Sequence, residues 1–259
     1  MFCSHCGQQN ADNAAFCSSC GAPLAQQQTT YQKKPANPQN AIQSYMKNPV
    51  IVILAALFSV VAVFALIELF DILPARFKSF KYSKYLGFDG IMTTILSIVV
   101  NVLLTVSSAF LAIGSWMTFA SGMGMAQSGG KGISIAKNGA AMATASYVIV
   151  LLGGLIFSDL GDMDGSFVAA YIIAILLFIC SFFSLNLMLK QLSSGKITSG
   201  VGVAAVIFGG LVFILAMIGL EGDSLSANTD SFAGICQLLA FGCIAVQGVV
   251  HISTANKMK

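Results

Sequence analysis

The amino-acid sequence predicts an all-α polytopic membrane helix bundle of about six transmembrane helices behind a small N-terminal cysteine module. Three observations predict it. Of 259 residues, 56% are apolar and only 9% charged, with a mean hydropathy of +0.83, whereas a soluble domain carries about a quarter charged residues. The charges are clustered and leave uncharged stretches at 48–67, 90–130, 138–158, 165–189, 197–220 and 231–256. A helix needs about 20 apolar residues, at ~1.5 Å each, to cross the hydrocarbon core. Finally, four cysteines fall in two short pairs within the first 20 residues. This composition argues against an ordinary cytosolic enzyme.

The first element is residues 1–24. Within CSHCGQQNADNAAFCSSCGAPL, Cys3, Cys6, Cys17 and Cys20 make two C-x-x-C pairs ten residues apart. Four thiolates suit tetrahedral Zn²⁺, and each short pair lets one tight turn aim two sulfurs at one metal. Gly7 and Gly21 follow the pairs, where a turn of positive φ excludes a Cβ. The competing reading is two disulfides, disfavoured by a reducing cytosolic setting. His5 lies inside the first pair and is a spare donor, since four cysteines already complete the shell. A segment this short cannot bury a sufficient core, so a structural Zn²⁺ supplies the folding energy. A closed site of four cysteines has no open position for a catalytic water. Residues 1–32 contain no Lys or Arg to neutralise phosphates, so no nucleic acid is expected as a partner, and protein–protein contact is the better default.

The C-x-x-C-G … F-C-x-x-C-G pattern resembles the short N-terminal zinc ribbon of many bacterial membrane proteins, in which a polar linker then leads into one or several transmembrane helices. The segment AIGSWMTFASG, residues 112–122, is similar to a stretch in multi-spanning members from Gram-positive bacteria. The ribbon likeness covers about 22 residues. It implies zinc on Cys3, Cys6, Cys17 and Cys20 and a setting in a bacterial inner membrane, and it supplies a domain name and not a mechanism.

Residues 25–47, with six Gln, two Pro and almost no large aliphatics, read as a flexible polar linker that cannot offset its ordering entropy. The transmembrane helical domain then occupies 48–256, with spans at about 49–70, 91–113, 138–157, 167–189, 200–219 and 232–251. Continuous runs such as Val50 to Ile67 favour helices over barrel strands. Residues 114–130, rich in Gly and Ser, are expected to be a cytosolic helix end and flexible loop with Trp116 and Phe119 at the interface; a re-entrant segment is the alternative.

Basic residues set the expected orientation. With both termini cytoplasmic and six crossings, the inner face holds nine lysines against Asp12 alone, a balance of +8, and the outer face comes to −5. This satisfies the positive-inside bias of a multi-pass cell-membrane protein. The loop 71–90 is the exception, carrying Arg76, Lys78, Lys81 and Lys84 outside. It reads either as a solvated connection paired with the acidic outer loops or, through Phe77, Phe80, Tyr82, Tyr85 and Phe88, as a segment lying on anionic headgroups. A cysteine at Ser79 is expected to react with an impermeant thiol reagent outside intact cells and one at Ser194 to be protected.

Catalytic signatures are absent, and the only histidines are His5 and His251. The run 124–134 resembles a phosphate-binding loop but has Gly132 where Ser or Thr is required after Lys131. The run 159–165 resembles part of a calcium loop without its bidentate Glu. Within the spans the polar residues are Asn101, Asn186, Gln237, Gln247 and Glu68. Glu68 is expected to reach the headgroups beside Asp71, and the amides to bond between helices. Gly153, Gly154, Gly209 and Gly210 are expected to allow close approach, and Cys180, Cys236 and Cys243 to act as small apolar residues. Two functions follow: a non-enzymatic membrane protein whose ribbon docks a partner or another copy in assembly, sensing or regulation, and alternatively a small-solute transporter or channel with a cavity near Asn101, Asn186 and Gln237.

Overall fold

The fold is described from a computed structural model covering residues 2–3, 5–11, 14–22, 38–81, 87–125, 129–157, 165–221 and 232–258. The chain divides into two units, Met1–Ala36 and Asn37–Lys259. Among the described residues, seven helices make up the second: α1 (Pro38–Met46), α2 (Val50–Lys81), α3 (Gly87–Gly122), α4 (Gly129–Phe157), α5 (Gly165–Ser194), α6 (Ser199–Glu221) and α7 (Phe232–Met258). Five of the long helices are long and apolar enough to cross a membrane, with windows Val50–Ile67, Gly90–Gly122, Gly130–Ile156, Val168–Ser194 and Leu238–Met258. They mark the chain as a membrane protein. The described apolar part of α6, Ser199–Leu215, is shorter, because the side chains beyond it are only partly described.

Each of α2 to α6 packs on its successor, and α7 packs back on α2, so the six long helices close into a ring in chain order. Successive helices run antiparallel. Thr105 on α3 reaches the Ala65 carbonyl of α2 at 3.2 Å, while further along α3 Trp116 donates to Ser59, nearer the start of α2. Similarly, Ser107 pairs with Gly139 of α4, whereas Gly114 lies against Ala136 and Gly132.

With lipid on the outside there is little hydrophobic drive between helices, so contact rests on small residues and side-chain hydrogen bonds. A Cβ built on Gly132 would stand 2.7 Å from the Thr118 backbone nitrogen, and one on Gly248 2.7 Å from the Gly202 carbonyl. These contacts join α3 to α4 and α6 to α7. Of the four glycines singled out above, Gly153 meets Leu96, Gly154 meets Tyr171 and Gly209 meets the backbone of α7, but Gly210 faces open space. Tyr147, Phe178, Phe182 and Phe241 form a ring cluster, two pairs stacked and two edge-to-face, with centroids 4.8 to 5.6 Å apart. Outward faces carry Ile53, Val63, Ile156, Ile173 and Val249, each more than half exposed, as lipid contact requires.

Two expectations change, and one of two alternatives falls. The linker of 25–47 is not polar coil throughout, because Pro38–Met46 forms α1. Tyr45 on that helix is 3% exposed, and its hydroxyl accepts a 2.7 Å bond from the Gln247 side chain of α7. Burial pushes the Tyr45 phenol up to about 12, against a lowering by the Gln247 bond, so it stays protonated. The connection of 71–90 is largely helical, because α2 continues through Pro74 to Lys81 and α3 starts at Gly87; residues 82–86 lie outside the described ones. Among its described residues, the segment 114–130 contains no re-entrant break. Helix α3 runs unbroken for 36 residues to Gly122, and Gly124 turns at φ +76 before α4 begins.

Candidate metal centre and bundle interior

The N-terminal unit is built from two equivalent turns. In each, the first cysteine's N–H donates to a carbonyl five residues on, Cys3 to Gln8 at 2.9 Å and Cys17 to Ala22 at 2.9 Å. In each, the following glycine donates back, Gly7 to Cys3 at 2.8 Å and Gly21 to Cys17 at 3.0 Å. Gly7 and Gly21 have φ of +75 and +70, the left-handed conformation in which a Cβ is strained. The two expected turns therefore form for the expected reason.

The turns bring all four sulfurs within 4.8 Å of one another. Cys3 Sγ lies 3.7 Å from Cys20 Sγ, and Cys6 Sγ 3.6 Å from Cys17 Sγ. A tetrahedron with Zn–S bonds of ~2.3 Å has edges of about 3.8 Å, so the donor set fits a four-coordinate metal. It does not fit disulfides, whose sulfurs sit ~2.05 Å apart, and all four cysteines are free. His5 gives the site its backbone N–H, 3.4 Å from Cys3 Sγ, and not its ring.

Backbone N–H groups prepare the ligands. Those of Cys6 and His5 lower the Cys3 thiol, and those of Cys20 and Ser19, with the Asn10 side chain, bring Cys17 to about 6. At Cys6 the Gln8 N–H acts in the same sense but is outweighed by the Cys20 and Cys17 thiols and by burial, which carry it to about 12. Asn10 was not among the residues singled out by pattern, yet it joins the two turns. Its Nδ2 donates to the Gln8 carbonyl at 2.9 Å and lies 3.5 Å from Cys17 Sγ, while its Oδ1 accepts from the N–H of Ser18 at 2.9 Å. Two aromatic side chains precede the cysteine pairs, Phe2 and Phe16, and they are 71% and 65% exposed.

Residues 2–24 match the zinc-ribbon domain family. The match covers the cysteine turns and none of the helices. No curated protein and no solved structure matches the chain.

The bundle interior holds two spaces in line. Beneath Tyr45 is one of about 10 Å³ bounded by Ile51, Leu54, Ile133, Leu189 and Gln247. Further along the same helices is a cavity of about 110 Å³ bordered by Phe58, Asn101, Thr105, Tyr147, Phe182 and Phe241, among others. Between the two levels Ala140, Leu185 and Ile244 are fully buried, as their places between the lining residues of α4, α5 and α7 require. Hydroxyl hydrogens at the cavity are spent on helix carbonyls, Ser107 on Gly139 at 2.8 Å and Ser108 on Thr105 at 2.8 Å.

The amides do not gather there. Asn101 borders the cavity and donates to its own helix at Ser97, and Asn186 is not among the lining residues. Gln247 is taken by Tyr45, and the side chains of Gln237 and Glu68 lie outside the described residues. Among the described residues, the buried polar side chains are serines, threonines, Gln247 and His251, with no carboxylate and no lysine. The calcium-like run begins in residues 158–164, outside the described ones. Residues 129–134 of the phosphate-loop-like run are the start of α4, and helix α3 precedes the run where such a loop needs a strand.

Proposed function

We propose that the protein is a non-enzymatic integral membrane protein whose cytosolic ribbon carries one structural Zn²⁺ on Cys3, Cys6, Cys17 and Cys20. The ribbon docks a protein partner or a second copy of the chain, in assembly, sensing or regulation. The carrying observation is the pair Phe2 and Phe16, exposed on a unit whose buried described residues are Cys3 and Cys17, with Ala14 and Ala22 half-buried against them. Exposed aromatics beside a rigid turn are typical anchors of protein contacts. A Zn²⁺ bound by four thiolates has two net negative charges, and residues 1–32 contain no Lys or Arg to offset them. Electrostatics therefore oppose nucleic acid and leave protein as the partner class.

The interior supports docking over transport. The layer of Ala140, Leu185 and Ile244 separates its two spaces, and the described amides are dispersed among helix contacts rather than lining one hydrated path. The excess of lysine on the side of both termini supports the cytosolic placement. Crosslinking and pulldown from native membranes test the reading by comparing wild type with Cys17→Ser/Cys20→Ser and with Phe2→Ala/Phe16→Ala. Both variants are expected to lose the same crosslinked species; an identical set of species from all three proteins overturns the docking role.

A further inference from the structure

A second site lies on the bundle, at the end where α1 meets α7. A groove of about 530 Å³ is bounded by Gln43, Ser44, Lys47, Asn48, Pro49 and Lys257. That volume is in the range of sites that hold drug-sized ligands. Its polar groups are of one kind. Two are ammonium groups, three more are an amide pair and a hydroxyl able to donate, and among the described residues no carboxylate lines it. The Asn48 Oδ1 is already spent, accepting the Val50 N–H at 3.0 Å, which leaves its NH₂ as the free end. Both lysines are exposed, so the groove is an uncompensated positive concavity.

Its place along the helices sets the depth. Lys47 comes three residues before Val50, where the apolar window of α2 begins, and Lys257 is in the last turn of the α7 window Leu238–Met258. Both ammonium groups therefore fall where hydrocarbon gives way to headgroups. One turn deeper on α2 is Ile53, 58% exposed, and two turns deeper on α7 is Val249, 57% exposed. Cations at headgroup depth above apolar outward faces suit an amphiphile with an anionic head, and basic pockets between helices at this level are a known chemistry of lipid recognition.

We infer that this groove binds the phosphate of an anionic phospholipid, with Lys47 and Lys257 as its charge partners and Gln43, Ser44 and Asn48 as neutral donors. The site is independent of the ribbon and of any role for it, because every lining residue belongs to α1, α7 or the turn into α2. The headgroup seals α1 against α7 from the outside, as the Tyr45–Gln247 bond does from within.

The full-length protein reconstituted in nanodiscs tests this. Phosphatidylglycerol in a phosphatidylcholine background is expected to raise the melting temperature of the wild type, and native mass spectrometry to detect retained phosphatidylglycerol. Lys47→Gln/Lys257→Gln should weaken that retention at least tenfold. Lys190→Gln/Lys196→Gln, which removes the same charge at the α5–α6 turn, should leave it within twofold. Equal behaviour in the two lipid compositions overturns the site. So does equal loss in both lysine pairs, which would reduce the effect to diffuse attraction. Inorganic phosphate at millimolar concentration is expected to leave retention unchanged; displacement of the lipid by phosphate alone would make this a soluble-anion site and overturn the lipid assignment.

Discussion

In the ribbon the described buried side chains are two of the four clustered cysteines, Cys3 and Cys17, while Phe2 and Phe16 are exposed. In the bundle the most deeply buried aromatics, Phe58, Phe182 and Phe241, face inward, and the outward faces are mainly aliphatic, with Phe70, Phe88, Trp116 and Phe183 among them. The difference shows where each unit finds its cohesion. The ribbon has too few residues to close a core, so coordination replaces packing. The bundle has surface to spare but a solvent as apolar as itself, so it coheres through glycine contacts and short hydrogen bonds.

The largest effect that can break this contrast is loss of the metal. Cys17→Ser/Cys20→Ser should take zinc from one equivalent to none by elemental analysis and remove about 10–16 kcal/mol of coupled folding free energy from the ribbon. The melting temperature of the bundle should not move. Next, Gly132→Leu drives a side chain into the Thr118 backbone. Overpacking of this kind costs about 1–3 kcal/mol and the upper end is expected here, read as a lower melting temperature at unchanged zinc content.

Tyr45→Phe removes the partner of a buried amide and leaves Gln247 unsatisfied, at a cost of about 1–2 kcal/mol. Faster tryptic cleavage at Lys47 reports it. Asn10→Ala sharpens the ribbon side of the comparison, because a group that orients ligands is worth about tenfold in metal affinity; competition with a chelator measures it. The smallest effect is Ser107→Ala. Its bond to the Gly139 carbonyl is one interhelical contact among many, worth about 0.6 kcal/mol.

The two units also differ in how far the amino-acid order betrays them. The ribbon's turns are legible because C-x-x-C-G is a local requirement, satisfied by backbone bonds within five residues. Asn10 is not legible, since nothing near it marks an amide that will bond the backbone of Ser18, 8 residues on in the second turn. The membrane helices are legible from the spacing of charges, but their ends are not, because helices α2 and α3 run on past the hydrocarbon where charge no longer forbids anything. Helix α1 is hidden for a different reason. PQNAIQSYM has the composition of a linker, and what holds it helical is a tyrosine whose partner is 202 residues away. The interior cavity is hidden likewise, since its wall is assembled from five helices and no one of them carries its pattern.

That distance between Tyr45 and Gln247 also sets an order of events during synthesis. Helix α1 leaves the ribosome before any of the helices that bury it, and its seat on α3 and α7 is complete only when the last of them has emerged. Its apolar residues must wait at the membrane surface while six further helices are inserted. The first helix made is the last to be seated, and the Tyr45–Gln247 bond closes only on a chain whose insertion is complete.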